Sequence, residues 1–209
     1  MQRILTPSLR NDMTISVEQV KELRQATAAP VLDCKKALQN TGGDFDLAVD
    51  WLRQKGLSTA AKKAGRQANE GVVDAYIHPG SRVGVIVEVN CETDFVARSE
   101  EFQALVHDIL LHIAMANPIC VDVDDIPADA LARERELFRE KALLDGKPED
   151  IAEKIVSGRL DKYYKQVCLL HQPFVKDEDL SIGDLVKRAI AKLGENIIVH
   201  RFYRFELGK

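Results

Sequence analysis

The chain has 209 residues, of which 45% are hydrophobic and 30% charged, with a formal net charge of -4. Such values describe an ordinary soluble globular chain, long enough for one large domain or a small one beside a medium one. They exclude a global basic footprint for nucleic acid. No apolar run reaches the roughly 20 residues of a membrane span and no signal-peptide pattern is present, so a cytoplasmic protein without direct nucleic-acid or membrane contact is expected.

Residues 1–15 carry Thr6-Pro7, a second methionine at Met13 and no helical period, and are expected to be a disordered tail or the product of an upstream start. Residues 16–56 predict a three-helix docking module. Ser16-Val17-Glu18-Gln19 is a capping box, followed by Val17, Val20 and Leu23 on one side. Pro30 suits the first turn of a second helix, whose apolar side is Val31, Cys34 and Leu38. Asp44 caps a third helix with Ala48, Trp51 and Leu52; Gly56 is expected to stop it and Trp51 to be the centrepiece of the module. Residues 57–70, Ala-rich with Lys62, Lys63 and Arg66, predict a helical linker whose basic cluster reads as a solvated face rather than a phosphate site.

From residue 71 the period changes from helix to strand. Residues 72–78 and 83–91 flank Pro79-Gly80-Ser81 and predict a hairpin. Val83, Val85, Val87, Val89 and Cys91 share one face of the second strand, with Glu88, Asn90 and Glu92 on the other. The alternation breaks at Thr93-Asp94-Phe95-Val96, just ahead of a helix capped by Ser99. Two readings of Phe95 are open on the residues alone. Most aromatics near helix starts turn into the core, which favours the inward reading; on a rigid turn an aromatic instead makes a pre-ordered anchor for a partner.

The helix after Ser99 carries the stripe Phe102, Leu105, Val106, Ile109, Leu110 and Ile113 and ends at Asn117-Pro118. His107 and His112 are five apart, off the i, i+4 spacing of a metal pair, and are expected to be core or surface histidines. Residues 118–123 predict a short strand. Pro127 opens a charged helix over 128–145, and Gly146-Lys147-Pro148 turns it into a second over 149–167, an αα-hairpin. Gln172-Pro173-Phe174 reads as a loop. Ser181 caps a last helix with the stripe Ile182, Leu185, Val186, Ala189, Ile190 and Leu193, closed by Gly194. A final strand over 196–207 puts Ile197, Val199, Tyr203, Phe205 and Leu207 on one side. The fold class is α+β: a three-helix module, then over residues 71–209 an antiparallel sheet with helices packed on one face and a charged αα-hairpin.

Cys34, Cys91, Cys120 and Cys168 form no Cys-x-x-Cys pair and stand at no zinc-finger spacing. Cys34 and Cys91 fall on apolar faces and read as core filler. A cysteine enzyme built on Cys91 is the weaker rival, since Glu92 and Asp94 beside it would raise the thiol pKa. Neither a nucleophile–base pair nor a cofactor motif is evident, so no cofactor, no metal and no enzyme activity are expected.

Three stretches carry a family resemblance: Val20-Lys21-Glu22-Leu23-Arg24 with Asp33-Cys34-Lys35-Lys36-Ala37-Leu38, then Val89-Asn90-Cys91-Glu92-Thr93-Asp94-Phe95-Val96-Ala97, then Arg201-Phe202-Tyr203-Arg204-Phe205-Glu206-Leu207-Gly208. Over residues 16–208 the chain resembles the bacterial elongation factor Ts family, nucleotide-exchange factors of elongation factor Tu. The resemblance implies a ubiquitin-associated-type fold for the N-terminal module, with Arg24, Val31 and Leu32 at its contact with the partner's G domain. Where the family usually has Gly-Ala-Gly and Met-Met, this chain has Ala28-Ala29-Pro30 and Val31-Leu32. It further implies that Thr93, Asp94, Phe95 and Val96 displace Mg²⁺ from elongation factor Tu, which is bound both with GDP and free of nucleotide. Under that resemblance Phe95 is displayed rather than inward.

The rival of another class is an adaptor that binds ubiquitin-like or nascent-chain partners through the three-helix module. The resemblance is to the short form, with one copy of the hairpin-plus-helix unit. A small sheet has edges to cover, so a homodimer is expected, with the terminal strand and the helix over residues 182–193 at or near the interface.

Overall fold

The described chain, residues 15–27 and 29–209 of a computed structural model, begins with α1 (Val17–Thr27), α2 (Val31–Asn40) and α3 (Phe45–Lys63). The capping box forms as the sequence predicts: Gln19 N donates to Ser16 Oγ at 3.1 Å, and Ser16 N donates to Gln19 Oε1 at 3.0 Å. Asp44 Oδ1 accepts from Leu47 N at 2.9 Å and caps α3. Leu23, Cys34, Ala37, Leu38 and Ala48 are the buried centre of this unit. Trp51 is not its centrepiece; the indole lies half-buried at the rim, with Lys55 Nζ 5.4 Å from the ring centroid. Val17 is exposed rather than packed beside Leu23.

Gly56 does not stop α3, which continues to Lys63. One glycine costs a helix only about 1 kcal/mol relative to alanine, and Ala60 and Ala61 follow it closely. The chain divides into two compact units at Thr59 and Ala60, inside this helix. The tail expected over residues 1–15 lies outside the described residues except for Ile15, which packs on the first core.

The second unit is built on a three-stranded antiparallel sheet of order β1-β2-β5, comprising β1 (Glu70–Ile77), β2 (Val83–Cys91) and β5 (Ile198–Glu206). Gly71, at φ +147°, lets β1 start against β2: a Cβ there would lie 2.2 Å from the Val89 carbonyl oxygen. In β2 the predicted alternation holds, with Val85, Val87, Val89 and Cys91 buried. They pack in one core with Phe102, Leu105, Val106, Ile109, Leu110 and Ile113, the predicted stripe of α5 (Glu100–Ala116). Asn117, at φ 50°, ends α5.

The rest of the unit wraps this core. Ile119 N and Cys120 N donate to the Val167 carbonyl, and Leu169 N donates to the Cys120 carbonyl. The strand expected over 118–123 therefore amounts to a single parallel bridge between Cys120 and Cys168. The predicted αα-hairpin is present as α6 (Ala128–Leu144) and α7 (Glu149–Val167). Arg135 pairs with Glu153 at 3.0 Å, and Arg139 pairs with Glu149, across its seam. Beyond it β3 (Pro173–Phe174) and β4 (Asp177–Ser181) form a small hairpin where the sequence suggested only a loop. Ser181 then caps α8 (Ile182–Leu193), accepting from Asp184 N at 3.0 Å.

One prediction fails for a specific reason. Val199 is buried as expected, but Tyr203, Phe205 and Leu207 are exposed, at 60%, 66% and 64%. A bulge opposite Glu88 and Val89 takes up one extra residue, since Glu88 pairs with Arg201 while Val89 pairs with Val199. An extra residue reverses the parity of everything after it. Phe202, Arg204 and Glu206 face inward instead, and Arg204 donates to the Ala114 carbonyl of α5 at 3.2 Å. The outer face of the sheet is thus left with Val73, Ile77, Ile86, Tyr203 and Phe205 exposed.

His112 is an ionisable side chain fully buried on α5. Val175 N donates to its Nδ1 at 3.3 Å, which leaves Nε2 to donate to Gln172 Oε1 at 2.9 Å. Burial lowers the imidazole pKa, while the Gln172 bond acts the other way. The unfolded chain, with an ordinary histidine near pH 6.5, therefore binds the proton first, and stability is lost as pH falls from about 6.5 through the folded pKa. Urea unfolding followed by circular dichroism should show this loss in the wild type. In His112→Asn, which keeps a donor and an acceptor without titrating, the loss should flatten; parallel slopes for the two proteins would contradict the assignment.

Candidate functional site

At the end of β2 the period of two gives way to a four-residue helix, α4 (Asp94–Ala97). Thr93, extended at φ -132° and ψ 153°, is its N-cap, and the hydroxyl accepts from Val96 N at 3.4 Å. Ser99 closes the far side: its hydroxyl donates to the Val96 carbonyl at 2.7 Å and accepts from Phe102 N at 3.3 Å. Gln103 Nε2 donates to the Ala97 carbonyl at 2.6 Å. Val96 packs against the main core and Ala97 is buried. Between these anchors Asp94 pairs with Arg98, one turn on, and Phe95 points out at 82% exposure. Leaving an apolar ring bare to water is unfavourable by the hydrophobic term, yet the Phe95 ring stays outside while Val96 and Ala97 beside it pack inward.

Two residues that the sequence reading did not single out hold this turn. Gly194, at φ 79°, ends α8 and redirects the chain toward the end of β2. There Glu195 Oε2 accepts from Glu92 N at 3.1 Å and Thr93 N at 3.0 Å, while Oε1 accepts from the Thr93 hydroxyl at 2.7 Å. In return Glu92 Oε1 accepts from Asn196 N at 2.6 Å. That backbone donor, helped by Arg66 at 3.5 Å, holds the Glu92 carboxyl below the usual range. Asn196 is buried, and its side chain donates to the Arg66 carbonyl at 2.8 Å. The signal in the sequence was Gly-Glu-Asn directly after an amphipathic helix, a polar turn with no role of its own.

The other three predicted site residues lie in the first unit. Arg24 is exposed in the last turn of α1, and Val31 and Leu32 are exposed in the first turn of α2, Leu32 at 72%. Ala28 of the connecting turn lies outside the described residues. Both apolar side chains face away from the Leu23–Leu38 core while their neighbours Cys34 and Leu38 fill it.

The thiols are poorly suited to chemistry. Burial pushes Cys91 up, with the Glu195 carboxylate adding to it, and burial pushes Cys168 up to about 12. A thiol that stays protonated is a weak nucleophile. Among the described residues no group of three or more His, Cys, Asp or Glu is placed to hold a metal ion, and no helix is long and apolar enough to cross a membrane.

A model of the family described as Elongation factor TS matches residues 59–209. Similar curated proteins include an Elongation factor Ts of Herpetosiphon aurantiacus, 55% identical over 196 residues that cover 94% of this chain and 99% of that one. Another, from Oleidesulfovibrio alaskensis, is 56% identical over 194 residues, covering 93% and 98%. A third, from Carboxydothermus hydrogenoformans, is 54% identical over 195 residues, covering 93% and 90%.

Because Phe95 touches so little of its own chain, Phe95→Ala should change unfolding free energy by no more than about 0.5 kcal/mol, the range of a surface substitution. Chemical denaturation measures it. A loss of several kcal/mol, of the order seen for core Phe→Ala, would show that the ring supports the fold.

Proposed function

Since the chain belongs to the elongation factor Ts family, we propose that it binds elongation factor Tu carrying GDP, displaces the nucleotide's Mg²⁺ and promotes GDP release so that GTP can bind. A member of this family is a translation elongation factor, and elongation factor Tu is its partner. The observation that carries the finer reading is Phe95, a bare aromatic ring on a turn anchored at both ends.

In the partner, GDP is held by a phosphate-cradling loop and by a Mg²⁺ ion that requires near-ideal octahedral geometry. A ring pushed between the elements holding that ion disturbs the geometry without any bond being made or broken. Phe95 supplies the wedge. Asp94 supplies polar contact, and Thr93 and Val96 keep the wedge in place. The factor prefers the nucleotide-free partner over the GDP-bound one, and by linkage GDP and factor weaken each other's binding by the same free energy. Arg24, Val31 and Leu32 are an exposed cation and two exposed apolar side chains of the first unit, available for docking on the same partner.

The proposal includes a homodimer. Val73, Ile77, Ile86, Tyr203 and Phe205 leave an apolar outer sheet face, interrupted by the Arg201–Glu88 pair at 2.8 Å. A second copy on that face would remove it from water. The contact is assigned to the strands alone, because Ile182, Val186 and Ile190 of α8 are already buried in the chain's own core.

Stopped-flow release of fluorescent GDP from elongation factor Tu tests the wedge. Phe95→Ala should slow factor-stimulated release by on the order of tenfold, as expected for a truncated aromatic anchor. The deficit should narrow when Mg²⁺ is chelated; a deficit that is undiminished would contradict displacement of the ion. Light scattering at micromolar concentration tests the dimer. A mass near 23.4 kDa, one chain, that does not change with concentration would rule it out.

A further inference from the structure

The last rung of the β2–β5 ladder joins Asn90 to Ile198. The two amides that follow the end of β2, Glu92 N and Thr93 N, lie beyond that ladder and are half-buried, and a donor taken from water without a partner is costly. Glu195 fills that gap with a side chain: one carboxylate oxygen takes both orphan amides, Glu92 N at 3.1 Å and Thr93 N at 3.0 Å. The other oxygen accepts the Thr93 hydroxyl proton at 2.7 Å. With its proton committed to Glu195, that hydroxyl has its lone pairs free for Val96 N, the bond that starts α4. The reciprocal bond from Asn196 N to Glu92 Oε1, at 2.6 Å, and the Asn196 side-chain bond to the Arg66 carbonyl fix the gripping segment itself. Glu195 therefore touches the residues just before Phe95, and three charge-assisted bonds from one side chain define their direction.

We propose that Glu195 is the positioning residue of the exchange reaction: it sets the direction in which the 93–96 turn, and with it the Phe95 ring, leaves the sheet. This rests on the reading of Phe95 as the residue that enters the partner. Glu195 acts through the turn, and it is backed by Asn196 and Glu92.

The test has one arm in the free protein and one with elongation factor Tu. In the free protein, amide hydrogen exchange by NMR should show Thr93 N–H and Val96 N–H losing protection in Glu195→Ala, while Ile109 N–H in the core of α5 stays protected. Glu195→Gln keeps an oxygen for the two backbone amides and should restore most of the protection. Unchanged protection in Glu195→Ala would overturn the proposal, as would a loss spreading equally to Ile109, which would mark a general stability effect.

With elongation factor Tu, Glu195→Ala should reduce stimulated GDP release by on the order of tenfold, no more than removal of the aromatic anchor that it orients. Glu195→Gln should recover most of it. In a Phe95→Ala background Glu195→Ala should add almost nothing, since a misdirected ring and a missing ring fail alike. Full additivity of the two substitutions would overturn the proposal by making Glu195 an independent contact. A fully active Phe95→Ala single variant would instead overturn the reading of Phe95, while amide protection still decides what orients the turn.

Discussion

The burial of one face of β2 against the stripe of α5 is the constraint on which the second unit depends. Val85, Val87, Val89 and Cys91 on one side and Phe102, Val106, Ile109 and Ile113 on the other are all removed from water. Side chains alternate with period two, so sliding β2 by one residue would turn all four of its core side chains outward. Such a slip would cost each of the three valines about 1.5–3 kcal/mol of burial. The register is therefore fixed, and so is the point where β2 ends. Everything proposed for Phe95 follows from that fixed end, since Thr93 is the second residue beyond Cys91.

Fixing where the turn starts does not fix where it points. Two further devices do so, one local and one distant in sequence. Thr93 and Ser99 cap the two ends of the turn, and the Ser99 cap is legible in the sequence from residue type and spacing. The grip of Glu195 and Asn196 arrives from the other end of the unit, where β5 is about to pair with β2. An exchange factor makes and breaks no bonds, so its contribution is shape held in advance. A ring already ordered before encounter loses little entropy on entering a pocket, and a loosely hinged one loses more.

What the sequence disclosed follows from how local each signal is. The capping box at Ser16, the cap at Ser181, the β2 alternation and the α5 stripe depend on neighbours a few residues apart, and all are found as read. Gly56 misled because an intrinsic preference of about 1 kcal/mol is easily overridden by the residues around it. The outward turn of Tyr203, Phe205 and Leu207 was hidden because a bulge is one unpaired residue, visible only once β5 lies against β2. The exposed ring of Phe95 could not be told from an inward one by chemistry alone; the family resemblance favoured display. Glu195 was illegible for a plainer reason, as its partners Glu92 and Thr93 lie about a hundred residues earlier.

The role proposed for this protein is to loosen GDP from elongation factor Tu. Pre-steady-state release of a fluorescent GDP from that partner, chased with excess unlabelled nucleotide, measures it most directly. The release rate should rise with the concentration of this protein and saturate well above the spontaneous rate. A rate that stays at the spontaneous value when this protein is saturating would contradict it.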